Sequence, residues 1–179
     1  MVMIAKKIKE EDHDARVVFI GPCIAKKHEF RLGKTQGSVD CVLTFEELDA
    51  MFAGADIELS ELEETPLDGA SNFGRSFAAS GGVAAAVAQS LKEQQIDFAV
   101  KPEVCGGITA CKTAILKDAH GRLDANFIEG MACDMGCIGG AGCRVRSPKN
   151  KASLTQYAKS AGHTTIESVA APVQEQSEQ

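Results

Sequence analysis

Three of the chain's seven cysteines, Cys133, Cys137 and Cys143, fall within eleven consecutive positions, with Gly136, Gly139, Gly140 and Gly142 set among them. Glycines at those places remove side-chain bulk where a chain wraps closely around an inorganic body. Their backbone N–H groups can point at sulfide and thiolate sulfurs and so stabilise an anionic group. Cysteines separated by two to four residues also suit tetrahedral zinc, so the spacing by itself leaves an iron-sulfur cluster and a zinc site both open. A zinc knuckle shows two tight ligand pairs. Here Cys23, Cys41, Cys105 and Cys111 are scattered, and His13, His28, His120 and His163 form no metal-ligand pair. The balance moves towards iron and sulfur.

Those thiols are read as reduced. The first fourteen residues place Met1, Ile4 and Ile8 between Lys6, Lys7 and Lys9, the pattern of an amphipathic helix rather than of an export signal. No apolar run approaches the roughly 20 residues that a bilayer requires, so no membrane span and a cytoplasmic location are expected. In that compartment clustered cysteines are metal ligands or reactive thiols more often than disulfides. The 179 residues, 44% hydrophobic and 25% charged, describe an ordinary globular chain. A net charge of −6 and scattered aromatics offer no platform for nucleic acid.

The pattern along the chain is α/β, with strands alternating with helices. Arg16 to Ile20 reads as a buried strand ended by Gly21-Pro22, delivering Cys23 at its C-terminal end, where α/β proteins tend to place ligands. Val39 to Leu43 reads as a second strand, with Cys41 a small buried hydrophobe. Thr44 to Glu47 is a capping box opening a helix that turns Leu48, Met51 and Phe52 inward. Ser80-Gly81-Gly82 leads into a helix over Val83 to Gln95, with Val83, Val87 and Leu91 on one face. Ile96 to Val100 is then expected as a strand, Ile108 to Leu116 as a helix, Asn126 to Glu129 as a strand and Lys151 to Ala161 as a final helix. Cys105 and Cys111 flank a Gly-Gly turn and are expected to be structural thiols. Glu58 to Pro66 reads as a solvated acidic connection, and the segment after residue 165 as a polar tail that stays disordered. The organisation expected is one domain over 1–165 followed by a tail over 166–179.

A second group of chemically active residues follows the first strand. Cys23 is succeeded by Lys26 and Lys27, and an ammonium near a thiolate lowers its pKa and offers a donor to a bound anion. The alternative is two solvated lysines opening a helix, with His28 at the surface. Pro22-Cys23-Ile24-Ala25-Lys26-Lys27-His28-Glu29 resembles the second signature of the FeFe-hydrogenases, P-C-x-x-K-K-x-E. Glu129 to Gly140 resembles the third, E-x-M-A-C-x-x-G-C-x-x-G-G. Between them, Val39 to Glu47 and Phe77 to Val83 also resemble stretches of that catalytic domain, so the likeness runs from about Val17 to Cys143.

This resemblance implies one lobe of a two-lobed α/β domain, with a mixed or parallel sheet flanked by helices. It implies a 4Fe-4S cubane bridged through a cysteine sulfur to a two-iron subcluster bearing carbon monoxide, cyanide and a dithiolate bridge, the H-cluster. The reaction implied is 2H⁺ + 2e⁻ ⇌ H₂. Carried over by motif, Cys23 and Cys133 ligate the cubane, while Cys137 both ligates it and bridges to the two-iron unit. Lys26 hydrogen-bonds a cyanide, and Met131 packs beside the two-iron unit. A ferredoxin-like electron carrier is the implied redox partner.

The family's first signature, T-S-C-C-P-x-W, is not in the sequence. With it would come the fourth cubane ligand and a proton-passing cysteine, so an upstream segment or subunit is expected to supply them. Gly21 stands where methionine is usual before Pro-Cys, and Cys143 where glycine often continues, which marks a divergent subgroup. That divergence keeps open a non-catalytic iron-sulfur protein, either a sensory relative or a cluster-assembly factor. A substitute ligand among Cys105, Cys111 and Cys143 and a zinc-stabilised structural module are the further alternatives.

Overall fold

The computed structural model describes residues 1–65 and 69–170. Pro66, at the end of the expected acidic connection, and residues 171–179 of the expected tail lie outside them. The chain divides into two compact units, one of residues 1–64 with 139–146, the other of 65–138 with 147–179.

The first unit contains helix α1 (Val2–Glu11), strand β1 (Val18–Ile20), the short helix α2 (Lys26–Glu29), strand β2 (Cys41–Leu43) and helix α3 (Phe45–Gly54). β1 and β2 pair in parallel, Val18 opposite Cys41 and Ile20 opposite Leu43. Its core is small: Ala5, Val39 and Val42 are buried, with Met1, Val17, Phe19 and Phe30 packed around them. Helix α1 forms where the charge pattern places it, but the expected apolar face is turned. Ala5, its smallest core-side residue, seats the helix closely on the valines, while Ile4 stays 64% exposed. β1 is likewise not the buried strand expected. Successive strand side chains point to opposite faces, and only Phe19 turns to the core while Val18 and Ile20 stay exposed. α3 begins with the expected capping box, Thr44 Oγ1 accepting from the Glu47 N–H and Glu47 accepting from the Thr44 N–H. Leu48 and Phe52, one turn apart, are half-buried, but Met51 lies at the edge of that stripe and is exposed.

The second unit holds α4 (Asn72–Arg75), α5 (Gly82–Glu93), strand β3 (Pro102–Gly106), α6 (Ile108–Ala119), strand β4 (Phe127–Met131), α7 (Lys149–Lys159) and the short α8 (Glu167–Ala170), so the stretch expected as tail opens with a helical turn. β3 and β4 pair in parallel through five residues, Pro102 opposite Phe127 and Gly106 opposite Met131, with α6 as the crossover. The strand expected over residues 96–100 is displaced. Gln95 takes φ 56°, and the Ile96 and Phe98 N–H groups bond to the carbonyls of Leu91 and Ile96, which curls this stretch into turns. The ladder starts after it. Asn126 ties the two strand entrances together, accepting from the Lys101 N–H at 2.7 Å and donating to the Ala99 carbonyl at 2.8 Å. α7 is anchored by buried Arg75, whose guanidinium donates to the Tyr157 carbonyl and Ser160 Oγ at 3.2 Å and lies over the Tyr157 ring. The α/β class with parallel strand pairs is as the sequence pattern leads one to expect.

Candidate functional site

In the first unit the turn Gly21-Pro22-Cys23 leaves β1 at its C-terminal end, as expected. The Gly21 N–H continues the ladder to the Leu43 carbonyl at 3.0 Å. A β-carbon at Gly21 would come within 3.0 Å of the Phe19 ring, which gives this glycine a packing role. Cys23 is half-buried. Lys26 and Lys27 open α2 and are both half-buried rather than freely solvated. Lys26 pairs with Glu29 within the second signature. Lys27 donates to the Val42 carbonyl at 3.0 Å and pairs with Glu47 at 2.6 Å, which holds the Glu47 carboxyl below the usual range. His28 is exposed. The tail of the Gly-Cys segment also belongs to this unit. Gly142 donates to the Pro22 carbonyl at 2.8 Å, and its absent β-carbon makes room for that carbonyl and for Thr44. Cys143 and Cys23 are therefore sequence neighbours of two hydrogen-bonded residues.

In the second unit Cys133 and Cys137 lie on the loop that leaves β4 after Met131, again at the C-terminal end of a parallel pair. The loop turns tightly, Gly136 donating to the Cys133 carbonyl at 2.9 Å with φ 76°. Backbone approaches it from both sides. A β-carbon on Gly106 would stand 2.4 Å from the Asp134 carbonyl oxygen, and one on Gly107 would stand 2.3 Å from the Asp134 carboxylate. On the other side Gly136 forms an antiparallel bridge with Ala79, and a β-carbon there would stand 2.7 Å from the Ser80 nitrogen and 2.8 Å from the Ala78 carbonyl. Met131 is half-buried, its carbonyl accepting from the Gly107 N–H at 2.9 Å and from Cys111 Sγ at 3.6 Å.

Two features of this unit were not assigned a role from sequence. Glu129 stands in the third signature and is 4% exposed, its two carboxylate oxygens accepting from the N–H groups of Gly81 and Ala84, each at 2.7 Å. It thus closes the N-terminus of α5, where a carboxylate meets both orphan donors and the helix dipole. The signal was there: Glu129 is the one acid inside the run Asn126 to Met131. The other is Ser80, whose hydroxyl oxygen is buried with no hydrogen-bond partner among the described residues. Cys105 is buried at 2% exposure, and burial, with Cys111 nearby, pushes its thiol pKa up. An inert structural thiol is what that environment makes.

Among the described residues no three His, Cys, Asp or Glu side chains stand grouped as a metal-holding set. The expected ligands are divided between units, Cys23 in the first, Cys133 and Cys137 in the second. The donor set nevertheless fits an iron-sulfur group. In the second unit, thiols on a glycine-relieved turn with an orphaned hydroxyl on the adjoining segment, and in the first, a thiol followed by lysines, are groups that an anionic sulfur cluster uses.

The model of the iron only hydrogenase large subunit, C-terminal domain, matches residues 1–141. The chain belongs to this family. The fold agrees. FeFe-hydrogenase HydA1 from Chlamydomonas reinhardtii is similar at 20% identity with a TM-score of 0.57, the match covering 88% of this chain and 56% of that one. An FeFe-hydrogenase characterised for oxygen inactivation through its 2Fe subcluster is 22% identical, TM-score 0.57, with 88% and 55% covered. HydA(ΔEFG), which revealed stepwise H-cluster assembly, is 20% identical, TM-score 0.52, with 88% and 56% covered. The hydrogenase-family chain therefore spans a little over half the length of these solved structures. No helix of the described residues is long and apolar enough to cross a membrane.

Proposed function

We propose that this chain provides the Cys23, Cys133 and Cys137 ligands of an H-cluster and acts in the reversible interconversion of protons, electrons and H₂ together with an upstream segment or subunit. The observation that carries this reading is the loop from Met131 to Cys137, which stands at a parallel strand end with backbone packed against Gly106 and Gly136 where any side chain would collide. A loop fixed so tightly holds its thiols in place for a cofactor instead of collapsing around them. Cys23, Cys133 and Cys137 would hold a 4Fe-4S cubane, and Cys137 would also serve a two-iron subcluster with carbon monoxide, cyanide and a dithiolate. That group supplies the redox-active metal with an open position.

The chain's own residues have separate tasks. Lys26, which pairs with Glu29, would donate to a cyanide of the group. Met131 excludes water beside the two-iron unit, and dryness strengthens every electrostatic contact made there. The upstream partner supplies the fourth cysteine. Electrons come from a ferredoxin-like carrier, and the setting is the cytoplasm. The domain organisation that goes with this is a cofactor-binding part over 1–165 and a polar tail over 166–179.

Iron, acid-labile sulfide and zinc are to be counted per chain after anaerobic reconstitution, for the native sequence and for Cys23→Ala, Cys133→Ala and Cys137→Ala. About four irons and four sulfides, the content of one cubane, lost in each variant, support the ligand assignment. Zinc alone, or iron indifferent to all three changes, with the upstream segment present in the reconstitution, overturns it.

A further inference from the structure

Among the described residues, the hydroxyl of Ser80 is a buried polar atom that the fold itself leaves without a partner. Buried hydroxyls are nearly always hydrogen-bonded, because leaving one unmade forfeits its hydration without return. Its surroundings say where a partner should be. Ala79 bridges to Gly136, and the Ser80 nitrogen lies against the same glycine, the residue directly before Cys137. The residues on either side are occupied. Ala79 accepts from the Gly82 N–H, and Gly81 donates to Glu129. With its backbone fixed on both flanks by these bonds, Ser80 is held against the cysteine loop. Ser80 as a whole is half-buried, while its hydroxyl oxygen is buried.

We propose that Ser80 is a cofactor-positioning residue whose hydroxyl donates a hydrogen bond to an anionic sulfur, sulfide or thiolate, of the cluster held by the Cys133–Cys137 loop. The inference rests on the iron-sulfur reading above. A hydroxyl is suited to this place because it rotates to meet its acceptor, and an O–H···S bond favours the more negatively charged state of a cluster. Ser80 therefore raises the reduction potential of the bound cluster, while contributing nothing to the stability of the empty chain. The carboxylate of Glu129 completes the arrangement from behind. By capping α5 through Gly81 and Ala84 it sets the position of Ser80 relative to β4, the strand from which the cysteine loop departs.

The test uses the whole chain, reconstituted anaerobically with iron and sulfide, and reads two quantities for the native sequence, Ser80→Ala and Ser80→Thr. The first is the cluster's potential from a redox titration followed by electron paramagnetic resonance. Loss of the hydroxyl should lower the reduced-to-oxidised ratio about tenfold at fixed ambient potential, about 59 mV for one electron, and Ser80→Thr should restore it. The second is the melting temperature of the iron-free chain, which should hold or rise in Ser80→Ala. An unchanged potential with a full cluster overturns the proposal and leaves the ligand assignment standing, and shows that the hydroxyl meets a buried water. A fall in the melting temperature of iron-free Ser80→Ala also overturns it. Failure of the native chain to hold any cluster even with the upstream segment that supplies the fourth cysteine present removes both readings together.

Discussion

The two units present the same device, a cysteine-bearing turn at the C-terminal end of a parallel strand pair, but they hold it by different means. In the second unit backbone packs on backbone, and Gly106, Gly107 and Gly136 are sites where a single added carbon would meet an atom within 3 Å. In the first unit the Cys23 turn is flanked by side-chain contacts, Lys27 with Glu47 and the Val42 carbonyl, and by one bond from Gly142 to Pro22. Close backbone packing fixes a position sharply and tolerates no bulk. Half-exposed ion pairs answer to salt and pH.

The sharpest way to break this contrast is to add the same methyl group to each unit. Gly136→Ala must place a β-carbon 2.8 Å from the Ala78 carbonyl at φ 76°. Left-handed backbone costs a non-glycine residue about 1–2 kcal/mol, and overpacking adds roughly 1–3 kcal/mol. A loss of about 3 kcal/mol in urea unfolding is expected. Gly33→Ala in the first unit meets nothing within 4 Å, and should be neutral or stabilising by up to about 1 kcal/mol. Equal losses at the two sites would erase the distinction.

A smaller effect comes from Glu129→Gln. The amide keeps the shape but turns an N–H₂ towards one of the two helix N–H groups that the carboxylate now satisfies. About 2 kcal/mol is expected from one buried donor left without an acceptor and from the lost charge at the helix N-terminus. Thermal unfolding of the iron-free chain measures it, and a shift within error would mean that α5 is held by its packing alone. Smaller again is Thr44→Ala in the first unit, which removes one half of the capping box of α3 and should cost about 1 kcal/mol in the same measurement.

The contrast also explains what the sequence could show. The motif residues Cys23, Lys26, Cys133 and Cys137 could be singled out one by one, because each falls in a short segment that resembles a signature of the family. So was the capping box at Thr44, because it is local. What stayed hidden depends on partners distant in the chain. Nothing near Gly106 reveals that Asp134 will lie against it, and nothing near Ser80 reveals Gly136. The displaced strand is a similar case. Ile96, Phe98 and Val100 alternate as a strand should, yet they gain no partner strand, and the ladder forms instead at Pro102–Gly106 opposite Phe127–Met131. The expected inward faces of α1 and β1 failed for a related reason. Periodicity identifies an apolar stripe but not how wide a surface will cover it, and the first unit's two short strands leave Ile4, Val18 and Ile20 exposed.

The smallest predicted effect is electrostatic and belongs to the first unit. Asp40 accepts from Lys9 at 2.8 Å, from the Val17 N–H at 2.8 Å and from Arg16 at 3.4 Å, joining the end of α1 to the start of β1. These contacts, Lys9 foremost, lower its pKa from the ordinary 3.8 to about 2. Because the folded value lies below the unfolded one, the unfolded chain binds the proton first as pH falls. The stabilisation is complete above pH 3.8 and disappears as pH drops towards 2. Asp40→Asn should therefore flatten the chain's loss of stability over that window and change little in its slope between pH 5 and 8. Since these contacts reach solvent, raising the salt concentration should shrink the difference between Asp40→Asn and the native chain. The Glu129 contacts are buried and should show no such salt dependence. An Asp40→Asn difference that survives high salt would mean that the first unit, too, is held by contacts that water does not reach.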